Sequence, residues 1–553
     1  MLCFQCEQTR NETGCTSIGV CSKTPETAAL QDLLVYACRG LARAVLHSGV
    51  SGPDRQAQVT RLQEGLFATV TNVNFDDAVL ARMIQTTISE RDALRRAKKG
   101  GPCSGGQDCP GAASFLLPET LEGQMALAET IGIQARRTAF GEDIVSLQEL
   151  LTYGLKGMAA YAHHAAELGF HDPEVDAFML EGLDALNDPA PSPDGLLALV
   201  MRCGEASLKT LALLDRANTI SLGHPVPTRV RMGAVRGKAI LVSGHDLADL
   251  RALLEQTEGT GINVYTHGEM LPAHAYPELR RFPHLAGHFG GAWMLQKREF
   301  PQFPGPIVMT TNCLMQPSPE YAERLYSRSV VGWPGIRHLA TRDFSEVIAA
   351  ARALPGFEAD QEPVRFHWAG FGHKTVTDVA GTVVEAVKKG DIRRFLLIGG
   401  CDGAKPGRNY FTDMAEQAPK DWIILTLGCG KFRLTDLDAG EIAGLPRLLD
   451  MGQCNDSYSA IRVAQALAEA FGTDVNALPL SLVVSWYEQK AVTVLLALLH
   501  LGIRNIRLGP SLPAFVSPGV LKVLVETFNV MPVGPSAAVD LAAIEGGTLQ
   551  PAA

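Results

Sequence analysis

Seven short apolar runs in the second half of this chain end at, or close to, a residue able to bind metal. KAILVSGHDL leads to His245, GINVYTHGEM to Glu269, PIVMTTNC to Cys313, RRFLLIGGCDG to Cys401, WIILTLGCG to Cys429 and SLVVSWYEQK to Glu488; RLLDMGQCND brings Cys454 after a shorter run. Helical stretches separate the runs, the pattern of α/β units with largely parallel sheets. In open sheets of that kind, ligands bind beyond the carboxyl ends of the strands. Gly244, Gly268, Gly399, Gly400, Gly428, Gly430 and Gly452 flank these positions, and glycine lets the backbone approach a bulky group closely. The pattern predicts one buried site between two Rossmann-like α/β domains, at 221–360 and 361–553.

Residues 1–220 follow a different period. In TPETAALQDLLVYACRGLARAVLHSG, Thr24 is placed to cap a helix, Pro25 to start it, and Leu30, Leu33, Leu34, Ala37, Cys38, Leu41 and Val45 share one face. The same period recurs in SLQELLTYGLKGMAAYAHHAAELGF and in GLLALVMRCGEASLKTLALLDRAN. This region therefore reads as helical bundles. Cys38 is expected in the core, the last of these stretches holds Cys203, and His163 and His164 are expected as solvated or core-edge side chains. KKGGPCSGGQDCPGAAS, with Cys103 and Cys109, reads as an exposed insertion.

Ahead of the first helix, Cys3, Cys6, Cys15 and Cys21 are spaced C-x2-C-x8-C-x5-C, with Gly14 and Gly19 allowing tight turns. Four convergent thiolates suit zinc or an iron–sulfur cluster. Core cysteines would fall on an amphipathic period instead. A net charge of −10 argues against nucleic acid and anionic membranes as partners. There is no basic and apolar leader and no apolar run of membrane-spanning length, so a cytoplasmic protein is expected. In that compartment twelve cysteines point to metal or redox chemistry rather than disulfides. The seven-residue set of four thiolates, one imidazole and two carboxylates exceeds what structural zinc needs, and suggests polynuclear iron with sulfido and oxo character. Lys490, two residues after Glu488, would share its strand face and donate protons, or serve as a structural partner of Glu488.

These motifs carry a resemblance. VSGHDL, YTHGEM, TTNC, GGCDG, LGCGK, GQCNDSYSA and WYEQKAV, with the first cysteine quartet, resemble the hybrid cluster (prismane, hydroxylamine reductase) family over essentially the whole chain. The resemblance implies two amino-terminal three-helix bundles and a [4Fe–4S] cluster on Cys3, Cys6, Cys15 and Cys21. It also implies a hybrid [4Fe–2O–2S] cluster on His245, Glu269, Cys313, Cys401, Cys429, Cys454 and Glu488, with Cys401 as a persulfide. The implied reaction is reduction of hydroxylamine to ammonia and water, with Lys490, Glu488 and Glu269 as candidate catalytic residues. Reduction of nitric oxide to nitrous oxide, and a nitric-oxide-reactive sensor or protein S-nitrosylating factor, use the same ligands. The fold resemblance extends to carbon monoxide dehydrogenases, without a nickel site. Cys103 and Cys109 belong to neither set and read as free surface thiols or an accessory redox pair. No G-x-G-x-x-G follows a strand at the start of a βαβ unit, so an external reductase or ferredoxin-like donor is expected.

Overall fold

The computed structural model describes residues 1–97 and 111–546; Cys103 and Cys109 lie outside the described residues. After the cysteine loop come α1 Pro25–Ser48, α2 Gly52–Ala68, α3 Asp77–Ala97, α4 Leu121–Ile131, α5 Ile133–Phe140, α6 Glu142–Glu167, α7 Pro173–Ala185 and α8 Pro193–Leu222. The start of α1 follows from its residues. The Thr24 hydroxyl accepts from the Thr27 N–H at 3.2 Å, Pro25 fills the first turn, and Gly49 ends the helix at φ 79°. Its predicted apolar face is buried, Cys38 included. α1 packs on α2, α3, α4 and α7, whereas α6 packs on α2, α5, α7 and α8.

α6 is buried at every residue from Ile144 to Ala165. The explanation lies far along the chain, where helix Gln489–His500 packs against both α6 and α8. Glycines let the backbones meet. A Cβ at Gly157 would lie 2.0 Å from Thr493 Oγ1, and one at Gly204 would lie 2.3 Å from the Leu496 carbonyl oxygen. The helical region therefore includes a helix that the sequence order assigns elsewhere.

The first sheet holds β1 Thr228–Met232, β2 Lys238–Ser243, β3 Ile262–His267, β4 Leu285–His288, β5 Ile307–Met309, β6 Leu325–Arg328, β7 Arg337–Leu339 and β8 Arg365–Ala369, in the order β7-β6-β5-β2-β3-β4-β1-β8. All neighbours are parallel except β1 and β8. β8 lies beyond the expected boundary at 360, yet it belongs to this sheet because Arg365–Ala369 zips antiparallel onto β1. β9 Arg394–Gly400 and β10 Trp422–Thr426 begin the second sheet. A separate hairpin of β11 Glu441–Ile442 and β12 Leu445–Pro446 follows. β13 Leu448–Asp450, β14 Leu480–Ser485, β15 Ile506–Gly509 and β16 Met531–Pro532 complete the second sheet, wholly parallel in the order β13-β10-β9-β14-β15-β16. Register aligns the carboxyl ends: Ser243 pairs with His267 and Met309, Ser485 with Gly400, and Thr426 with Asp450. No helix among the described residues is long and apolar enough to cross a membrane.

The contact at Gly157 yields a test. Gly157→Val should destabilise the protein by about 1–3 kcal/mol through overpacking, read as a lower urea midpoint. Gly381, in a helix with open space around it, should tolerate Ala without loss.

Candidate metal centre

Ser243 and Gly244 carry the chain out of β2 to His245. The same exit from β3, β5, β9 and β10 delivers Glu269, Cys313, Cys401 and Cys429, and the turn after β13 delivers Cys454. All six line one cavity together with Glu488. Both sheets contribute, and one side chain ties them: Gln453 Nε2 donates to the carbonyl oxygens of His245 at 3.1 Å and Glu269 at 2.7 Å. Behind the Cys429 and Cys454 turns, fully buried Lys431 donates to the Gly452 carbonyl at 2.6 Å and pairs with Asp450 at 2.8 Å. His367 Nε2 lies 3.0 Å from the other Asp450 oxygen.

Glu488 and Lys490 correct the expectation of a shared strand face. β14 stops at Ser485, and Glu488 is the N-cap of helix Gln489–His500, its carboxylate accepting from the Lys490 N–H at 2.8 Å. The rise into a helix turns the Lys490 side chain back toward the cavity. Its Nζ sits 3.0 Å from His245 Nε2, 2.9 Å from Asn312 Oδ1 and 3.6 Å from Glu488 Oε1.

The hydrogen-bond network sets the His245 tautomer. The Thr311 hydroxyl donates to the Asn312 carbonyl at 3.3 Å, so toward His245 Nδ1, 3.0 Å away, it accepts. Nδ1 thus carries the proton, and the Nε2 lone pair accepts from the Lys490 ammonium at 3.0 Å. Burial and the Lys490 cation hold this imidazole well below its ordinary pKa, and so neutral. One carboxylate oxygen of Glu269 accepts from the Cys454 N–H at 2.9 Å; the other is buried with no hydrogen-bond partner among the described residues. His245, Glu269 and Cys454 each offer a donor atom within 4.8 Å of the others.

Burial pushes all four thiols up, Cys454 to about 12 and Cys401, Cys429 and Cys313 likewise upward, with Glu269 or Glu488 adding to the rise. Burial also raises Glu269 and Glu488, against the nearby lysine cations. Lys490 is shifted up, because the surrounding acids outweigh its own burial. Such an acid-rich, desolvated set fits a multiply charged cationic group, which favours the thiolate and carboxylate forms. The unpartnered Glu269 oxygen fits the same group.

Sequence reasoning missed several neighbours. Tyr161 on α6 donates to Cys454 Sγ at 3.3 Å, and Asn312 Nδ2 lies 3.4 Å from Cys313 Sγ. His163 and His164 are buried, not solvated, because α6 is enclosed on every side. His163 is held down to about 3 by burial and meets Ser329 at 3.0 Å, while His164 stacks on His245 at 6.3 Å. Only Asn312 and Tyr487, adjacent to proposed ligands in sequence, carried a local signal.

In the amino-terminal loop, Cys3 and Cys15 exchange backbone hydrogen bonds of 3.0 and 2.8 Å. Gly14 turns at φ +144°, and a Cβ on Gly19 would sit 3.1 Å from Cys21 Sγ. Burial raises the Cys6 thiol, followed by the charges of Cys21, Cys3 and Cys15, so the quartet converges. Among the described residues no three of these sulfurs come within 4.8 Å of one another. Cys6, Trp293, Tyr487, Cys313, Cys401 and Cys429 form one buried cluster, with Trp293 and Tyr487 in ring contact at 4.6 Å. The Glu7 N–H donates to the Tyr487 carbonyl at 2.9 Å, which ties the loop to the segment bearing Glu488.

The Prismane/CO dehydrogenase family model matches residues 1–541, and the chain belongs to that family. It is 62% identical over 542 residues to the hydroxylamine reductase of Zymomonas mobilis subsp. mobilis, covering 98% of each chain. It is 55% identical over 551 residues to the hydroxylamine reductase of Rhodospirillum rubrum, covering 98% of this chain and 99% of that one. The fold is also that of carbon monoxide dehydrogenase IV from Carboxydothermus hydrogenoformans, with a TM-score of 0.56 at 16% identity, over 96% of this chain and 89% of that one.

The thiol shifts set a pH dependence. A thiol raised in the folded state favours folding below its ordinary value of 9.0, and that contribution is lost as pH rises toward about 12. Protein freed of metal by a chelator should therefore lose urea stability between about pH 9 and 12. Metal-loaded protein, its thiolates already formed, should lose far less over the same range.

Proposed function

We propose that this chain is a hydroxylamine reductase, catalysing NH2OH + 2e− + 2H+ → NH3 + H2O at an iron–sulfur–oxo centre. The observation that carries this reading is the convergence of seven ligand-capable side chains from both sheets on one cavity, with Lys490 beside them. The names of the two relatives support the same activity. His245, Glu269, Cys313, Cys401, Cys429, Cys454 and Glu488 would hold the hybrid cluster, with Cys401 as persulfide. Cys3, Cys6, Cys15 and Cys21 would hold a [4Fe–4S] cluster. Their separation favours a cubane over a single zinc, whose four thiolates would lie about 4 Å apart. The hybrid site would lie between the two α/β units, the first of them extended past residue 360 by β8.

When bound, the hybrid cluster supplies exchangeable iron and the two electrons that cleave the N–O bond. The chain's own residues do the rest. Lys490 holds a proton at Nζ in a buried pocket and is poised to give it to the leaving hydroxyl. Asn312 and Glu488 fix the direction of that ammonium. Glu269 keeps one carboxylate oxygen free of hydrogen bonds among the described residues. Trp293 and Tyr487 fill the space between Cys6 and the second thiol set and exclude water from it. Electrons come from an external reductase or ferredoxin-like protein.

One observation favours nitric oxide as a second substrate. An apolar cavity lined by Leu397, Val484, Leu496 and Leu508 runs up to Cys401 and Cys454. It suits a small uncharged molecule better than a strongly hydrated one.

Anaerobic steady-state turnover with each substrate separates the two. Iron analysis should give roughly eight irons per chain, four for each cluster; stoichiometric zinc with about four irons would overturn the amino-terminal assignment. Lys490→Met should keep its iron and spectra yet lose about 10²–10⁴-fold in hydroxylamine turnover. Glu488→Gln should instead lower iron content and alter the paramagnetic resonance spectrum. Native turnover in Lys490→Met would assign the proton to another group.

A further inference from the structure

Tyr161 stands outside the seven ligands and takes no part in the reaction above, yet it touches one of the sulfurs. Gly157 and Tyr161 lie four residues apart on α6 and so share a face. Gly157 admits the start of helix Gln489–His500: a Cβ there would lie 2.7 Å from the Gln489 carbonyl oxygen and 2.9 Å from Lys490 Cα. That approach brings Lys490 Nζ to 5.9 Å from the centre of the Tyr161 ring. On its other sides Tyr161 packs with Ala165, Leu211, Leu214, Ala217 and Ala497 in one buried cluster, which Cys454 joins. The side chain is buried, and Cys454 Sγ at 3.3 Å is the one acceptor its hydroxyl meets among the described residues. A phenol is protonated at neutral pH. A metal-bound thiolate carries no proton, so the hydroxyl donates and the sulfur accepts.

We propose that Tyr161 is a positioning residue that acts through Cys454 to raise the reduction potential of the hybrid centre. The inference rests on the hybrid-cluster reading given above. Reduction adds negative charge, and part of it falls on the ligating sulfurs. A donor held against one of those sulfurs therefore binds the reduced form more strongly than the oxidised form. The apolar cluster around the ring lowers the local dielectric and sharpens the difference. Electrons arriving at the amino-terminal quartet pass on more readily the higher the potential of the centre they enter, so the bond favours transfer inward. The two ends of the side chain have separate tasks. The hydroxyl serves the sulfur, whereas the ring gives the Lys490 ammonium a wall to rest on.

The test is a redox titration of the iron-loaded protein followed by paramagnetic resonance, which reads both centres in one sample. Tyr161→Phe keeps the ring and its contact with Lys490 and removes only the O–H. At a fixed potential its hybrid signal should show a reduced-to-oxidised ratio about tenfold below native, the scale of one hydrogen bond to a charged group and equal to about 59 mV for one electron. The amino-terminal signal should keep its native potential in the same sample. Tyr161→3-fluorotyrosine makes the phenol a stronger donor and should move the hybrid potential the opposite way, a reversal that a merely structural role does not produce. An unchanged hybrid potential in both variants, equal shifts of both signals, or loss of the hybrid iron in Tyr161→Phe would overturn the proposal. Native protein with a single cluster signal would instead overturn the site reading, and this inference with it.

Discussion

Desolvation governs the centre of this molecule. Four thiols, two carboxylates and an imidazole share one cavity, with Lys490 against the imidazole, and burial drives the acids toward their neutral forms. Charge returns to these groups only with a strongly cationic partner in the same cavity. The surrounding structure serves that end. Parallel strands in aligned register bring six donors to the carboxyl ends of two sheets, and Gln453 ties the loops of one sheet to a turn of the other. Lys431, sunk between Asp450 and Gly452, holds the Cys429 and Cys454 turns in place.

The segment Tyr487–Lys490 couples that cavity to the rest of the chain. The Tyr487 carbonyl accepts from Glu7, beside Cys6, and the Tyr487 hydroxyl donates to Asn72 Oδ1 at 2.6 Å. Glu488 caps the helix that follows, and Gln489 accepts from the Thr71 N–H at 2.9 Å. That helix then runs along α6 and α8, where Gly157 and Gly204 admit it. Both cysteine sets therefore rest on one short stretch of backbone. A shift of that stretch moves Glu488, Lys490 and the wall behind Cys6 together.

Much of this was legible in the sequence. Val, Ile and Leu runs ending in Gly-His, Gly-Glu and Gly-Cys encode both strand and ligand, since a parallel sheet presents its carboxyl end to a ligand. Thr24, Pro25 and the Leu30–Val45 stripe encode α1 through capping and period, which act within a few residues. The C-x2-C loop with Gly14 and Gly19 encodes a thiol cluster by the same local means.

Other features needed the whole fold. Whether Lys490 shared a strand face with Glu488 or turned back toward His245 depended on where β14 stopped, and a run such as SLVVSWYEQK continues equally well as strand or helix until tertiary packing decides. The burial of His163 and His164 depended on Phe67, Ser329 and His245, all distant in sequence, and the fold likewise brings Tyr161 to Cys454. The pairing of β8 with β1 spans the gap between two apparent domains. A polar cavity beside Cys3 gathers residues from the loop, α1, α5 and α6. Periodicity and spacing are local properties and determine elements and their chemical ends. Contacts between distant segments arise only when burial of apolar faces selects one packing, and that selection decided the neighbours of every buried charge.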